Sequence, residues 1–279
     1  MQAEIFEFQE SPALRLKSSH GSEAVVMLHG AHVVSWKPAG GEERIYLSDK
    51  ADFSPGSAIR GGIPVCFPQF SSLGDAPFHG FARNMEWHEG PVEDDGDIVR
   101  AAFTLSNSPE SQALWPHSFS LVLTISLGAT SLDVALSVAN TGTAPFSFTT
   151  ALHTYFRVHD IEAVGIEGLQ GTTYLDKVKN IPDIKESRSR LTFAEQVDSV
   201  YRNARPELIL HEKQRKLTIR SRNMPDAVIW NPWVERSQAI ADLPDDAYRH
   251  MVCIEAGAIT TPITLEPGRT WKGSQTMIA

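Results

Sequence analysis

The sequence predicts an all-β protein of antiparallel sheets with very little helix, and three observations carry that prediction. Apolar residues recur at every second position in many short runs. Those runs are separated by clusters of Gly, Pro, Asn, Asp or Ser, the punctuation of turns. Helical periodicity is confined to "SPESQALW" (Ser108 to Trp115) and "ERSQAIADL" (Glu235 to Leu243), each enough for a turn or two, which disfavours a doubly wound α/β fold. Many short punctuated strands mean a sandwich or barrel. No Gly/Ser or Pro linker and no internal repeat divides the 279 residues, so a single β-sandwich domain over 1–279 is the simplest organisation.

Along the chain, "EIFEF", "LRLK", "AVVML", "HVVSW" and "RIYL" are the first predicted strands. The region from Ser48 to Trp87 then breaks the pattern: it is long, rich in Gly and Pro and poor in alternation, and long structured loops in compact domains are usually functional. "IVRAAFTL" resumes the strands. The clearest pair follows, "SLVLTISL" and "SLDVALSV", with Leu121, Leu123, Ile125 and Leu127, then Leu132, Val134, Leu136 and Val138, at alternate positions around Gly128-Ala129-Thr130. That is a hairpin with one dry face. "KLTIRS", "DAVIW" and "HMVCIE" complete the set.

Hydrophobic residues make up 42% and charged residues 21%, an ordinary globular composition. The net charge of -9, without any run of Lys or Arg, argues against nucleic acid or an anionic membrane as partner. The opening "MQAEIFEFQE" is acidic where a secretory signal is basic, and no apolar run approaches the ~20 residues needed to cross a bilayer, so a cytoplasmic protein is expected. Cys66 and Cys253 sit in apolar stretches and read as buried free thiols.

Four places could carry chemistry. In "ALHTYFRV", read as one strand, His153, Tyr155 and Arg157 share a face opposite Leu152, Thr154, Phe156 and Val158. This is either a polar binding surface or a solvated strand face. In "HMVCIEAG", Glu255 follows Met251 and Cys253 on one face, with Ala256-Gly257 ending the strand; it is either a rim charge or a desolvated acid/base group. The long loop contributes Arg60 before Gly61-Gly62, and His79 and Arg83 in "HGFARNMEW". Two arginines suit forked hydrogen bonds to phosphate or carboxylate, and equally suit tying a loop to backbone carbonyls. In "VIWNPW", Trp230 and Trp233 offer a platform for a sugar face or close the end of the core. No nucleotide-binding loop, nucleophile elbow or His-Glu-x-x-His is present, and His29 and His32 in "HGAH" lack further ligands, so no metal is expected.

Taken together, "RGGIPVCFPQF", "HGFARNMEW", "LHTYFRV", "VIWNPW" and "CIEAG", in this order, resemble the glucose-6-phosphate 1-epimerases (hexose-6-phosphate mutarotases) of the aldose 1-epimerase superfamily. The resemblance runs from "GAHVVSW" near residue 30 to "LEPGRTW" near 270. It implies a galactose-mutarotase-like β-supersandwich, His153 as general acid, Glu255 as general base, and Arg60, His79, Arg83 and Asp176 around the sugar phosphate; Trp230, read above as a sugar platform, is expected as a further substrate contact. Related sequences often read Leu-Pro-Gln ahead of the His-Gly-Phe-Ala-Arg motif. This chain reads "APFHGFAR", so Phe78 stands where a glutamine would face a sugar hydroxyl.

Mutarotation needs a base for the anomeric hydroxyl proton and an acid for the ring oxygen, and no cofactor. The expected activity is therefore cofactor-independent exchange of the α and β anomers of glucose 6-phosphate, and of other hexose 6-phosphates, by a monomer. Glu255 is expected to start ionised and His153 protonated. Two alternatives stay open: mutarotation of unphosphorylated aldoses such as galactose, and a non-catalytic β-sandwich that binds sugar phosphates.

Overall fold

The computed structural model describes residues 3–213 and 215–279; Met1 and Gln2 of the opening stretch lie outside them. Among the described residues, the strands form antiparallel sheets of four, eight and nine strands. The nine-stranded sheet is built on the expected hairpin: Phe119–Leu127 pairs with Ser131–Asn140, with Leu127 opposite Leu132 across the three-residue turn. Every second residue of that pair, from Leu121 to Val138, is buried to 0% or 1% exposure. These side chains meet Val252, Ile254 and Ala256 of the eight-stranded sheet and Leu16, Val26 and Trp36 of the four-stranded sheet in one apolar cluster. Period-two patterning thus becomes a sandwich because each sheet has one face that water cannot reach.

The eight-stranded sheet positions the site. Its central strand, Met251–Leu265, pairs with Asp226–Asn231 on one side and with Phe146–Leu152 on the other. Val252 and Ile254 enter the main core, while Met251, Cys253 and Glu255 face outward. The outward row through Glu255 continues across the sheet to Val228, Val200 and Leu175.

Two sequence readings change here. The strand does not end at Ala256-Gly257 but runs on to Leu265, because its outer half finds a partner: Phe146 to Phe148 stand opposite Leu265 to Ile263. Register is lost between Phe148 and Thr150, where the partner runs from Ile263 to Ala258, so residues 259 to 262 bulge out. The Asp226 carboxylate holds the bulge, accepting from the Ile259 and Thr260 amides at 2.9 and 2.8 Å and from the Thr260 hydroxyl. Conversely, "ALHTYFRV" is not one strand. Phe146–Leu152 stops, and Tyr155–Arg157 re-pairs with Met251–Leu265 after a break at His153 and Thr154. The Thr154 hydroxyl leaves the ladder to bond Gln275 at 2.5 Å in the core.

Helix is as scarce as expected: Pro109–Leu114, capped by Ser108, and Trp233–Gln238, which begins two residues before the expected Glu235. The Ser48 to Trp87 region is a loop system with one short strand, Val65–Cys66, and a single 3-10 turn, Ala82–Asn84. It crosses the outward face of the eight-stranded sheet. Both cysteines are buried and unpaired, as expected.

If the hairpin owes its stability to its dry face, truncating that face and truncating the wet one should differ sharply. Leu123→Ala should cost about 2–5 kcal/mol and Thr124→Ala within about 0.5 kcal/mol. Urea unfolding of the two variants checks this; equal losses would mean that the faces are not distinct.

Candidate active site

The loop that starts at Arg60 is locked by close approaches that only glycine allows. A Cβ on Gly62, where φ is +68°, would lie 2.2 Å from the His32 ring, and one on Gly80, where φ is +73°, would lie 2.0 Å from the Phe67 carbonyl oxygen. His32, wholly buried, donates from Nε2 to the Gly61 carbonyl at 2.8 Å. His29 bonds Glu86 and the Ser57 carbonyl at 3.0 and 2.7 Å. The "HGAH" histidines therefore brace this loop. Gln69 holds the next turn, donating to the Ser71 carbonyl and accepting from the Ala76 amide.

Under this roof lies a cavity of about 200 Å³. Its lining includes Arg60, His79, His153, Trp230 and Glu255 from widely separated parts of the chain. His153, at the strand break, stands beside the outward row, with Nε2 3.3 Å from Glu255 Oε1. The other polar atom of each group, His153 Nδ1 and Glu255 Oε2, is buried without a hydrogen-bond partner. Unsatisfied polar atoms in such a place are costly and mark where a polar ligand would bond. The His153 ring stacks on Tyr155 with centroids 4.8 Å apart, and His79 meets its edge at 5.3 Å.

His79 accepts the Ser71 amide at Nδ1, at 3.1 Å, with the Cys66 sulfur 3.3 Å from the same nitrogen. The neutral ring therefore carries its proton on Nε2, which leaves a fixed donor for a ligand. Arg60 donates to Asp242 at 3.1 Å and to the Tyr155 hydroxyl at 3.2 Å, so its guanidinium is aimed before any ligand arrives.

Burial dominates the electrostatics. It pushes the Glu255 carboxyl well above its ordinary range, and the nearby Asp198 carboxylate adds to the shift. Burial likewise pushes His153 well below its ordinary value, helped by His79 and Arg83. His79 and His32 are both lowered to about 3, again chiefly by burial. Both shifts act against charge on the pair, towards a carboxylic acid beside a neutral imidazole, whereas the sequence led to an expectation of carboxylate and imidazolium. The proton count is the same in both, since one proton shifted across the 3.3 Å contact interconverts them.

The aldose 1-epimerase family model matches residues 12–277. This chain belongs to the aldose 1-epimerase family. It is 40% identical over 268 residues to a Cenchrus ciliaris protein provisionally named glucose-6-phosphate 1-epimerase, covering 92% of this chain and 82% of that one. An Escherichia coli K12 protein with the same provisional name is 37% identical, covering 84% and 79%. Among solved structures, a Salmonella typhimurium protein provisionally described as a mutarotase superposes with a TM-score of 0.91 at 31% identity, over 99% of this chain and 92% of that one. The all-β sandwich is thus the galactose-mutarotase-like fold, and the aldose 1-epimerase family makes the chain an epimerase.

Within this epimerase the residues singled out from sequence separate into two groups. Arg60, His79, His153, Trp230 and Glu255 line one cavity. Arg83 and Asp176 do not line it. Arg83 donates to the Phe78 carbonyl at 3.0 Å, the loop-tying use of arginine, and its charge still reaches His153 and Glu255. Asp176 accepts the Lys179 amide at 2.9 Å and lines a neighbouring hollow. In its place the cavity has Asp198, paired with Lys177 at 3.4 Å, and Arg236 from the short helix. Sequence reasoning missed these three. The available signal was the alternation in "VDSVYR", which puts Asp198 on the face of Val200, two strands from Glu255. Phe78, 57% exposed, stands at the cavity rim with its ring 4.1 Å from that of His79.

Buried neutral histidines give a pH signature. The unfolded chain protonates His32 and His79 near their ordinary 6.5, the folded one only near 3, so stability falls as pH drops through that window. Unfolding free energy should decline by a few kcal/mol between about pH 6.5 and pH 4, and His32→Gln should make that decline shallower. Urea titrations across the range test it; an unchanged slope in the variant would exonerate His32.

Proposed function

We propose that this epimerase interconverts the α and β anomers of glucose 6-phosphate, and of related hexose 6-phosphates, with Glu255 and His153 as the acid/base pair. The observation that carries the reading is the 3.3 Å contact between them, with one unpartnered polar atom on each, in a cavity that also holds Arg60. The provisional names of the Cenchrus ciliaris and Escherichia coli relatives support the phosphorylated substrate.

In the ionic form of the pair, the Glu255 carboxylate takes the proton of the anomeric hydroxyl as the His153 imidazolium gives its own to the ring oxygen. The C1–O5 bond breaks, the aldehyde rotates about C1–C2, and closure on the other face runs the same transfers in reverse. Sugar hydroxyls that partner Glu255 Oε2 and His153 Nδ1 replace the missing solvation and make the ionic form accessible. His79 Nε2–H and Asp198, which line the cavity, hold hydroxyls in this reading, and Trp230 packs on the sugar's C–H face.

The phosphate clamp expected of Arg60 and Arg83 is better assigned to Arg60 with Lys177 and Arg236, the cations that line the cavity. A chain of net charge -9 that gathers three cations around one small cavity is suited to an anionic substrate. This arrangement favours the phosphate ester over free galactose or glucose. The cavity is complete within one chain, which supports a monomer, and the buried unpaired thiols fit a reducing compartment such as the cytoplasm.

Glu255→Gln should lower anomer exchange of pure α-glucose 6-phosphate, followed by NMR, by roughly 10²–10⁴-fold. An unaffected rate would disprove its role as base. Arg60→Ala should raise KM for glucose 6-phosphate about tenfold and leave free glucose little changed. Burial moves His153 down and Glu255 up, which widens the pH range over which the pair holds one proton. kcat/KM should therefore show no steep limb near the ordinary histidine value of about 6.5, and such a limb would contradict a shared proton.

A further inference from the structure

Beside the catalytic cavity lies a larger groove, about 770 Å³ against about 200 Å³, and Phe70 and Lys177 line both. Its floor is the continuation of the Glu255 row: Leu175 and Val200 are cross-strand partners, and Ile259 packs with Val200, Val228 and Phe70. One wall is the loop at Ser71 to Gly74, held by Gln69. The other is the bulge of residues 259 to 262, held by Asp226. The groove is thus bounded by two braced segments of backbone.

Its chemistry is selective. Lys177 and Arg202 line it and no carboxylate does; their partners Asp198 and Asp183 stand outside the lining, so each cation also faces the groove, on a chain with net charge -9. Arg202 lies four residues beyond Asp198 on the same face of the strand Val197–Arg202, so it stands about 13 Å from the catalytic end at ~3.3 Å per residue. That is longer than one pyranose ring. Between the two ends, an apolar floor with hydroxyl groups at Ser71, Ser72, Thr260 and Thr261 suits a sugar ring, whose C–H faces pack on apolar surface while its hydroxyls bond the rim.

We infer that this groove is a second sugar subsite, and that the protein also acts on reducing disaccharides whose second ring carries a phosphate. The inference rests on the anomer-exchange reading of the catalytic cavity. The reducing ring occupies that cavity, the second ring lies over Phe70, Val200 and Ile259, and the phosphate meets Arg202. Only the C1–O5 bond of the reducing ring breaks and re-forms, and the proton leaving O1 is balanced by the one delivered to O5. The glycosidic bond is untouched, so the same Glu255 and His153 serve both substrates.

The test measures anomer exchange of glucose 6-phosphate, maltose and maltose 6′-phosphate by NMR, with wild type, Thr261→Trp and Arg202→Ala. Thr261 is exposed on the bulge, and Arg202 is partly exposed and paired only with Asp183 among the described residues, so neither change disturbs the core. Wild type should bring maltose 6′-phosphate within about tenfold of the kcat/KM for glucose 6-phosphate. Thr261→Trp should cut the disaccharide value about tenfold or more while glucose 6-phosphate changes less than about twofold. Arg202→Ala should weaken maltose 6′-phosphate and not maltose. Should Thr261→Trp fold poorly, Ser72→Trp on the facing loop decides the same point. Maltose 6′-phosphate exchanging at the buffer rate while glucose 6-phosphate is accelerated overturns the subsite, as does an equal loss on both substrates in the tryptophan variant. Acceleration of neither phosphate would instead defeat the activity reading, and the subsite with it.

Discussion

The site depends on one constraint: a carboxyl and an imidazole must be kept dry and in contact while each has an unsatisfied atom. Left in water, His153 and Glu255 would ionise independently and lose their coupling. Burial raises Glu255 and lowers His153, so the two titrate as a coupled pair; in the proposed reaction that coupling lets one pair serve both directions of a reversible ring opening. The break at His153 and Thr154 makes the contact possible. Thr154 turns inward to Gln275, which frees His153 from the regular ladder and brings its ring against the neighbouring strand.

Keeping the pair dry requires a roof, and most of the unusual residues in the chain serve it. His32 is pinned between Gly61 and Gly62, Gly80 packs on the Phe67 carbonyl, Gln69 closes a turn, and Arg83 ties down the Phe78 backbone. None of these four residues lines the cavity that holds His153 and Glu255. Their value lies in holding Arg60 and His79 at fixed positions, so that little entropy remains to be lost when a ligand binds.

The fold was largely legible because its signal is local. Alternation in "SLVLTISL" and "SLDVALSV" specifies a dry face whatever the rest of the chain does, and the hairpin follows. Where partners far along the chain decide, local reading failed. "ALHTYFRV" alternates without interruption, yet the strand breaks at His153 because Gln275, more than a hundred residues away, captures Thr154. Ala256-Gly257 resembles a strand end, yet the strand continues because Phe146 to Phe148 pair with it. In the site, residues carried by distinctive motifs, such as Glu255 and Arg60, could be picked out. Asp198 and Lys177 could not, since they sit in ordinary strand sequence and acquire meaning only through cross-strand register. Arg83 stood in the motif, and only the fold shows that it donates to the Phe78 carbonyl and lies outside the cavity lining.

The bulge at residues 259 to 262 has a consequence for how such a molecule can change over generations. It lies on the strand that carries Glu255, only a few residues along, yet Asp226 anchors its entry so that alterations beyond the anchor need not propagate back. In the proposed reading, proton transfer and ligand choice are thereby carried by neighbouring but separately anchored pieces of backbone. A lineage built on this scaffold could lengthen, shorten or re-chemise the bulge and the facing loop, exploring new sugars without renegotiating the chemistry beneath them.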